Sequence, residues 1–139
     1  MTEAKLRGVL YGHGHMGRFH AARMAERADV ELAIIDPELG LRTMPTACPD
    51  FAIVATPTNT HVQIAQPLLL NGVPCLIEKP LAIAMDEAKQ LAQYPHLSVG
   101  HIERFNPVFS VLEDARPEFI EIERLSPFQT RSTDVDVIA

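Results

Sequence analysis

Hydrophobic positions along this chain switch between strand-length runs and helical spacing, and the switches outline its elements. Leu6 to Tyr11 reads as a buried strand, Met16 to Arg27 has helical periodicity, and Val30 to Ile35 is a second strand ending at Asp36. Pro37, Gly40, Pro45 and Pro49 then crowd fourteen residues, 37 to 50, which argues against a helix there. Phe51 to Ala55 is a short strand. Thr56 to Thr60 is a turn rich in capping residues, leading into a helix from about His61 to Asn71 that Gly72 ends and Pro67 is expected to kink. A strand at Val73 to Ile77, a helix near Asp86 to Tyr94, a strand at Leu97 to His101 and a helical stretch from Asn106 to Ala115 follow.

This alternation predicts an α/β fold: a doubly wound, Rossmann-type, mostly parallel sheet with helices on both faces. From Glu118 to Leu125 the rhythm changes, with Ile120 and Ile122 alternating with Glu121 and Glu123, a strand with one wet face. A boundary is therefore expected near residue 117. Residues 1–117 would form this Rossmann-type domain, and 118–139 the stub of a second, α+β unit.

The chemistry begins in the first strand-to-helix turn, Gly12-His13-Gly14-His15-Met16-Gly17. The order strand, G-x-G-x-x-G, helix, strand and acid, with Asp36 nineteen positions after Gly17, is the fingerprint of a dinucleotide-binding βαβ unit. Gly12 permits the sharp turn, Gly14 lets backbone N–H groups approach a pyrophosphate, and Gly17 lets helix and strand pack closely. The helix N-terminus then faces the anion. Asp36 would accept hydrogen bonds from the adenosine ribose, and its charge favours NAD over NADP; it could equally be a turn residue ahead of Pro37.

Composition narrows the setting. The 139 residues are 47% hydrophobic, enough for one domain with a core. No apolar run is long enough for a membrane span, and the N-terminus lacks the apolar stretch of a signal peptide, so the reading is cytoplasmic. Net charge is −6 with both signs interleaved, which gives no footprint for nucleic acid. Cys48 and Cys75 read as free buried thiols. The histidines at 13, 15 and 20 have no recognised metal spacing, so no metal is expected.

Taken together, Gly12 to Gly17 with His20, Asp36, Ala55-Thr56-Pro57-Thr58 with His61, and Glu78-Lys79-Pro80 resemble the Gfo/Idh/MocA oxidoreductase family. Gly100-His-Ile-Glu-Arg-Phe-Asn-Pro107 is similar to its subgroup acting on nucleotide-linked amino sugars, such as UDP-N-acetylglucosamine 3-dehydrogenases. The resemblance implies oxidation of a sugar or nucleotide-sugar hydroxyl by hydride transfer to NAD. Gly12, Gly14, His15, Met16, Gly17, Asp36, Thr56, Pro57, Thr58, His61, Glu78 and Lys79 would contact the cofactor. Lys79 would assist proton removal, with a cis bond before Pro80 expected. Arg104 and Asn106 would join Lys79 in holding substrate. Outside the resemblance, Thr56 to Thr58 is a good strand-to-helix turn, and His61 is as readily a helix N-terminal residue as a ligand contact. Arg104 is as readily a solvated side chain, and Glu78-Lys79 a surface pair.

The chain departs from the family's pattern twice. A helix, a short strand and a further helix normally separate the acid-bearing strand from the strand before Thr56, and here only residues 37–50 are available. Fully extended they reach roughly 46 Å, against about 20 Å for the return across the sheet. The crossing is feasible, but the sheet should lose one edge strand and part of the adenine pocket wall. The family's substrate domain is also represented only by residues 118–139, so the sequence reads as truncated. The residual strand at 118–125 would have unpaired edges that invite homo-oligomerisation. The competing reading is a non-catalytic NAD-binding or vestigial module.

Overall fold

Short apolar runs that cannot satisfy their own backbone groups must pair, and the five strands do so in one all-parallel sheet. The computed structural model describes residues 4–41, 48–112, 116–121 and 123. In chain order they form β1 (Leu6–Tyr11), α1 (His15–Ala25), β2 (Val30–Ile35), β3 (Phe51–Val54), a 3₁₀ turn (Thr58–Thr60), α2 (His61–Leu70), β4 (Cys75–Ile77), α3 (Met85–Ala92) and β5 (Leu97–Val99). The spatial order is β2-β1-β3-β4-β5, with Gly8 opposite Phe51, Ala52 opposite Cys75, and Cys75 opposite Leu97. Every expected strand and helix up to residue 99 is present, with ends within about two residues, the usual uncertainty of helix and strand boundaries.

Alternation along the strands sorts their side chains between two faces. Val9, Ala52, Val54, Cys75 and Ile77 pack with Ala65 and Leu69 of α2 and Leu91 of α3, all essentially buried. Leu10 and Ile53, also buried, belong to the opposite face, where α1 packs over β1 and β2. Pro67 lies inside α2, which nonetheless continues to Leu70. Gly72, at φ +77, then takes the left-handed turn that ends the helix.

Residues 36–50 carry the chain from β2 past β1 to β3, with no helix among those described. Asp36 and Leu41 form a small antiparallel bridge. At the far end, the Asp50 carboxylate accepts the Arg7 N–H at 2.7 Å, which holds its carboxyl below the usual range. β2 is left as an edge strand, as the short connection requires.

The chain divides into two compact units, Met1–Gly100 and His101–Ala139, so the boundary expected near residue 117 falls within the second. In that unit the helix expected over Asn106–Ala115 is replaced by 3₁₀ turns at Ile102–Phe105 and Pro107–Leu112; residues 113–115 lie outside the described residues. Local side-chain bonds compete with the helix ladder here. Asn106 Oδ1 accepts the Val108 N–H at 3.1 Å, and the Ser110 hydroxyl donates to the Pro107 carbonyl at 2.7 Å. Of the strand expected over Glu118–Leu125, residues 118–121 and 123 belong to no strand, and 122, 124 and 125 lie outside the described residues. An extended segment becomes a strand only where a neighbour takes up its N–H and C=O groups.

Two outcomes follow from the packing. A Cβ at Gly17 would overlap the Gly12 carbonyl oxygen, so Gly17→Ala should cost about 2–3 kcal/mol by urea denaturation. Cys48 is exposed, contrary to the expected buried thiol, whereas Cys75 is buried. Burial raises the Cys75 thiol from 9.0 to about 11. In a native thiol-reagent assay at pH 8, Cys48 should react at once and Cys75 only on unfolding. Because the folded state holds the Cys75 proton more tightly, this contribution to stability is complete below pH 9.0 and is lost as pH rises towards about 11.

Candidate functional site

The strand order reverses direction at one place. β1 leads through α1 to β2 on one side, and β3 leads through α2 to β4 on the other. Such a switch point opens a crevice at the carboxyl ends of the strands. Gly12 sits in it at φ +86, and a Cβ there would lie 2.6 Å from the Ala55 carbonyl oxygen. Gly17 packs directly on Gly12. Gly14 differs from both: its φ is −71°, and no atom lies within 4 Å of where a Cβ would be. The fold does not require glycine at 14. α1 starts after Gly14 with no side-chain cap and no acidic residue in its first turn, so its first N–H groups take no partner from the helix's own side chains. His15 is exposed and Met16 half-buried on that turn.

Asp36 meets the glycine turn from the end of β2. Its Oδ2 accepts the His13 N–H at 2.7 Å, and its Oδ1 accepts the Glu38 N–H at 3.1 Å. Asp36 thus stabilises its own turn, as the turn-residue reading expects, and abuts the glycine loop.

Across the crevice, Thr56, Pro57 and Thr58 follow β3. The Thr60 hydroxyl lies 2.7 Å from both Thr56 Oγ1 and the Pro57 carbonyl oxygen, closing the turn, and Thr58 is buried. His61 is 1% exposed. Its Nε2 lies 2.9 Å from the Thr56 carbonyl oxygen, and its Nδ1 lies 3.1 Å from that of Pro80 and 3.3 Å from that of Leu81. The ring has no open edge for a ligand. It ties the turn after β3 to the segment after β4.

Lys79 is the first residue on that segment to reach solvent, directly after buried Ile77 and Glu78, and the Lys79–Pro80 bond is cis. Glu78, 7% exposed, also lacks an open edge: its Oε1 is 2.8 Å from His20 Nε2 of α1. His61 and Glu78, expected among the cofactor contacts, thus spend their polar atoms on protein partners. The His20–Glu78 pairing was not legible, because 58 residues separate the two. The one available signal was that His20 lies three residues after Gly17, on the same helix face.

Arg104 and Asn106 belong to the second unit. Arg104 is exposed, and Asn106 Nδ2 donates to Glu103 Oε2 at 2.9 Å. An apolar groove of about 290 Å³, lined by Met24, Phe51, Ile53, Leu76 and His96 among others, opens at the amino ends of β3 to β5, away from the crevice. Among the described residues, no three His, Cys, Asp or Glu side chains are grouped to hold a metal ion, and no helix is long and apolar enough to cross a membrane.

The chain is similar to known proteins in sequence and in fold. Residues 20–96 match the model of the oxidoreductase family GFO_IDH_MocA, NAD-binding Rossmann fold. UDP-N-acetylglucosamine 3-dehydrogenase of Acidithiobacillus ferrooxidans is 38% identical over 96% of this chain and 50% of its own length. A crystal structure of that enzyme superposes with a TM-score of 0.62 at 36% identity, covering 78% of this chain and 42% of the other. GenD2 from gentamicin A biosynthesis, in complex with NAD, superposes with a TM-score of 0.55 at 27% identity, covering 70% and 34%. The chain spans about half the length, or less, of these relatives. A parallel sheet with a glycine turn at its switch point, Glu78-Lys79-Pro80 closing β4, and a family match over more than half its length together place this chain in the Gfo/Idh/MocA oxidoreductase family.

Proposed function

We propose that this chain carries the NAD-binding half of a dehydrogenase that oxidises a hydroxyl of a sugar or nucleotide sugar. The observation that carries the reading is Gly14. Its neighbours Gly12 and Gly17 are glycines because protein atoms leave no space for a Cβ, whereas Gly14 faces open space at the start of an uncapped helix. A ligand that needs close backbone approach accounts for a glycine there, and a pyrophosphate is the anion that suits it. The cofactor bound in the GenD2 structure supports the same identification.

In this reading Gly12, Gly14, His15, Met16 and Gly17 cradle the pyrophosphate, and Asp36 accepts the ribose hydroxyls and disfavours a 2′-phosphate. Thr56, Pro57 and Thr58 line the other wall. His61 and Glu78 act through the backbone they hold. Bound NAD would supply a hydride acceptor. Lys79 takes the hydroxyl proton of the substrate, and its hydrogen bond to that oxygen strengthens as charge develops there. Arg104 and Asn106 hold polar groups of the substrate. The nucleotide-sugar substrate in the name of the Acidithiobacillus relative supports this class.

NADH fluorescence titration tests the binding half of the proposal. Gly14→Ala should weaken NADH at least about tenfold, or 1.4 kcal/mol, with the melting temperature essentially unchanged. NADPH should bind the wild-type chain more weakly than NADH. Wild-type protein that binds neither cofactor at millimolar concentration would overturn the reading.

The catalytic half is tested by NADH formation across a panel of sugars and UDP-sugars. Lys79→Ala should abolish it, leaving cofactor affinity within about threefold, or 0.7 kcal/mol. Binding without turnover of any substrate in the panel would favour the non-catalytic module instead.

A further inference from the structure

We infer that His20 and Glu78 form a buried positioning pair for Lys79, and that residue 100 is glycine because the pair leaves no space for a side chain. This inference rests on the reading of Lys79 as the reacting residue. Three elements meet at the Glu78 carboxylate. From α1, His20 Nε2 approaches Oε1 at 2.8 Å, with the two side chains 19% and 9% exposed. From the end of β4, the Lys79 N–H lies 3.4 Å from Oε2. From the end of β5, a Cβ on Gly100 would sit 3.0 Å from Cδ, Oε1 and Oε2 alike.

Burying a carboxylate costs several kcal/mol unless its partners are well placed. Stability alone does not account for it, since an apolar residue would fill this slot at lower cost. What the pair does is geometric. Glu78 is anchored by its own N–H to the Val54 carbonyl oxygen at 2.9 Å, and the Gly100 N–H bonds to the Ile77 carbonyl oxygen at 2.8 Å. With the backbone fixed on both sides, the His20 contact ties the corner carrying Lys79 to the helix that begins at the glycine turn. A shift of α1 then moves the lysine with it. The residue that holds the cofactor's anion and the residue that handles the substrate proton are kept in register by one hydrogen bond.

The chain has three lysines, at 5, 79 and 89. Reductive ¹³C-methylation therefore gives three dimethyllysine NMR signals beside that of the α-amine, and Lys79→Arg identifies the one at 79. In His20→Leu and in Gly100→Ala the Lys79 signal should shift while those of Lys5 and Lys89 stay in place. His20→Gln, which keeps an N–H donor near the same position, should restore it. NADH affinity should fall about five- to tenfold in His20→Leu and recover in His20→Gln. Should His20→Leu fail to fold, Gly100→Ala decides, since it removes no hydrogen-bonding group. A folded variant of either kind with an unmoved Lys79 signal overturns the inference. Failure of wild-type NADH binding would instead overturn the function proposed above, leaving the lysine signal to decide the pairing.

Discussion

The contact between the glycine turn after β1 and the backbone after β3 is the constraint on which the rest of this structure depends. Gly12 approaches Ala55 so closely that no side chain fits between them, and Gly17 seats α1 on the same point. That approach brings β1 and β3 side by side, and it directs α1 and α2 to opposite faces because parallel crossovers are right-handed. It also leaves the first turn of α1 at the mouth of the crevice. The proposed anion site would thus be a by-product of a packing requirement, with Gly14 as the one position of the turn released from it.

Buried His61 and half-buried His20 extend this logic to the other wall. His61 ties the turn after β3 to the segment after β4 through their carbonyl oxygens, and His20 reaches Glu78 from α1. Both sit within two turns of a helix start, and both contact the segment that flanks Lys79. An exposed lysine on a cis-proline corner would otherwise be a loosely placed group. Here its neighbours on either side are anchored to the two helices whose first turns line the site. This distribution of effort is common where chemistry demands precise placement from short elements.

The shortened connection after β2 shows how little of the sheet the site needs. Losing a strand beyond β2 exposes an edge, yet the switch point, Asp36 and the carboxyl ends of β3 and β4 remain where an anion-binding crevice requires them.

What the residues determined on their own was local. Period, breakers and glycine spacing identified five strands, three helices, the nucleotide turn and the Lys79 corner, because each depends on neighbours a few positions away. The prolines and shortness of residues 37–50 also argued against a further helix there, and none is present among the described residues. Tertiary structure decided everything that depends on distant partners. His61 and Glu78 became internal ties because residues 19 and 58 positions away meet them in space. Pro107 to Leu112 became a 3₁₀ turn because nearby side chains captured groups a helix would have used. The glycine at 14 was legible as a motif, but that packing leaves its Cβ position open, unlike those of Gly12 and Gly17, emerged only in the folded chain.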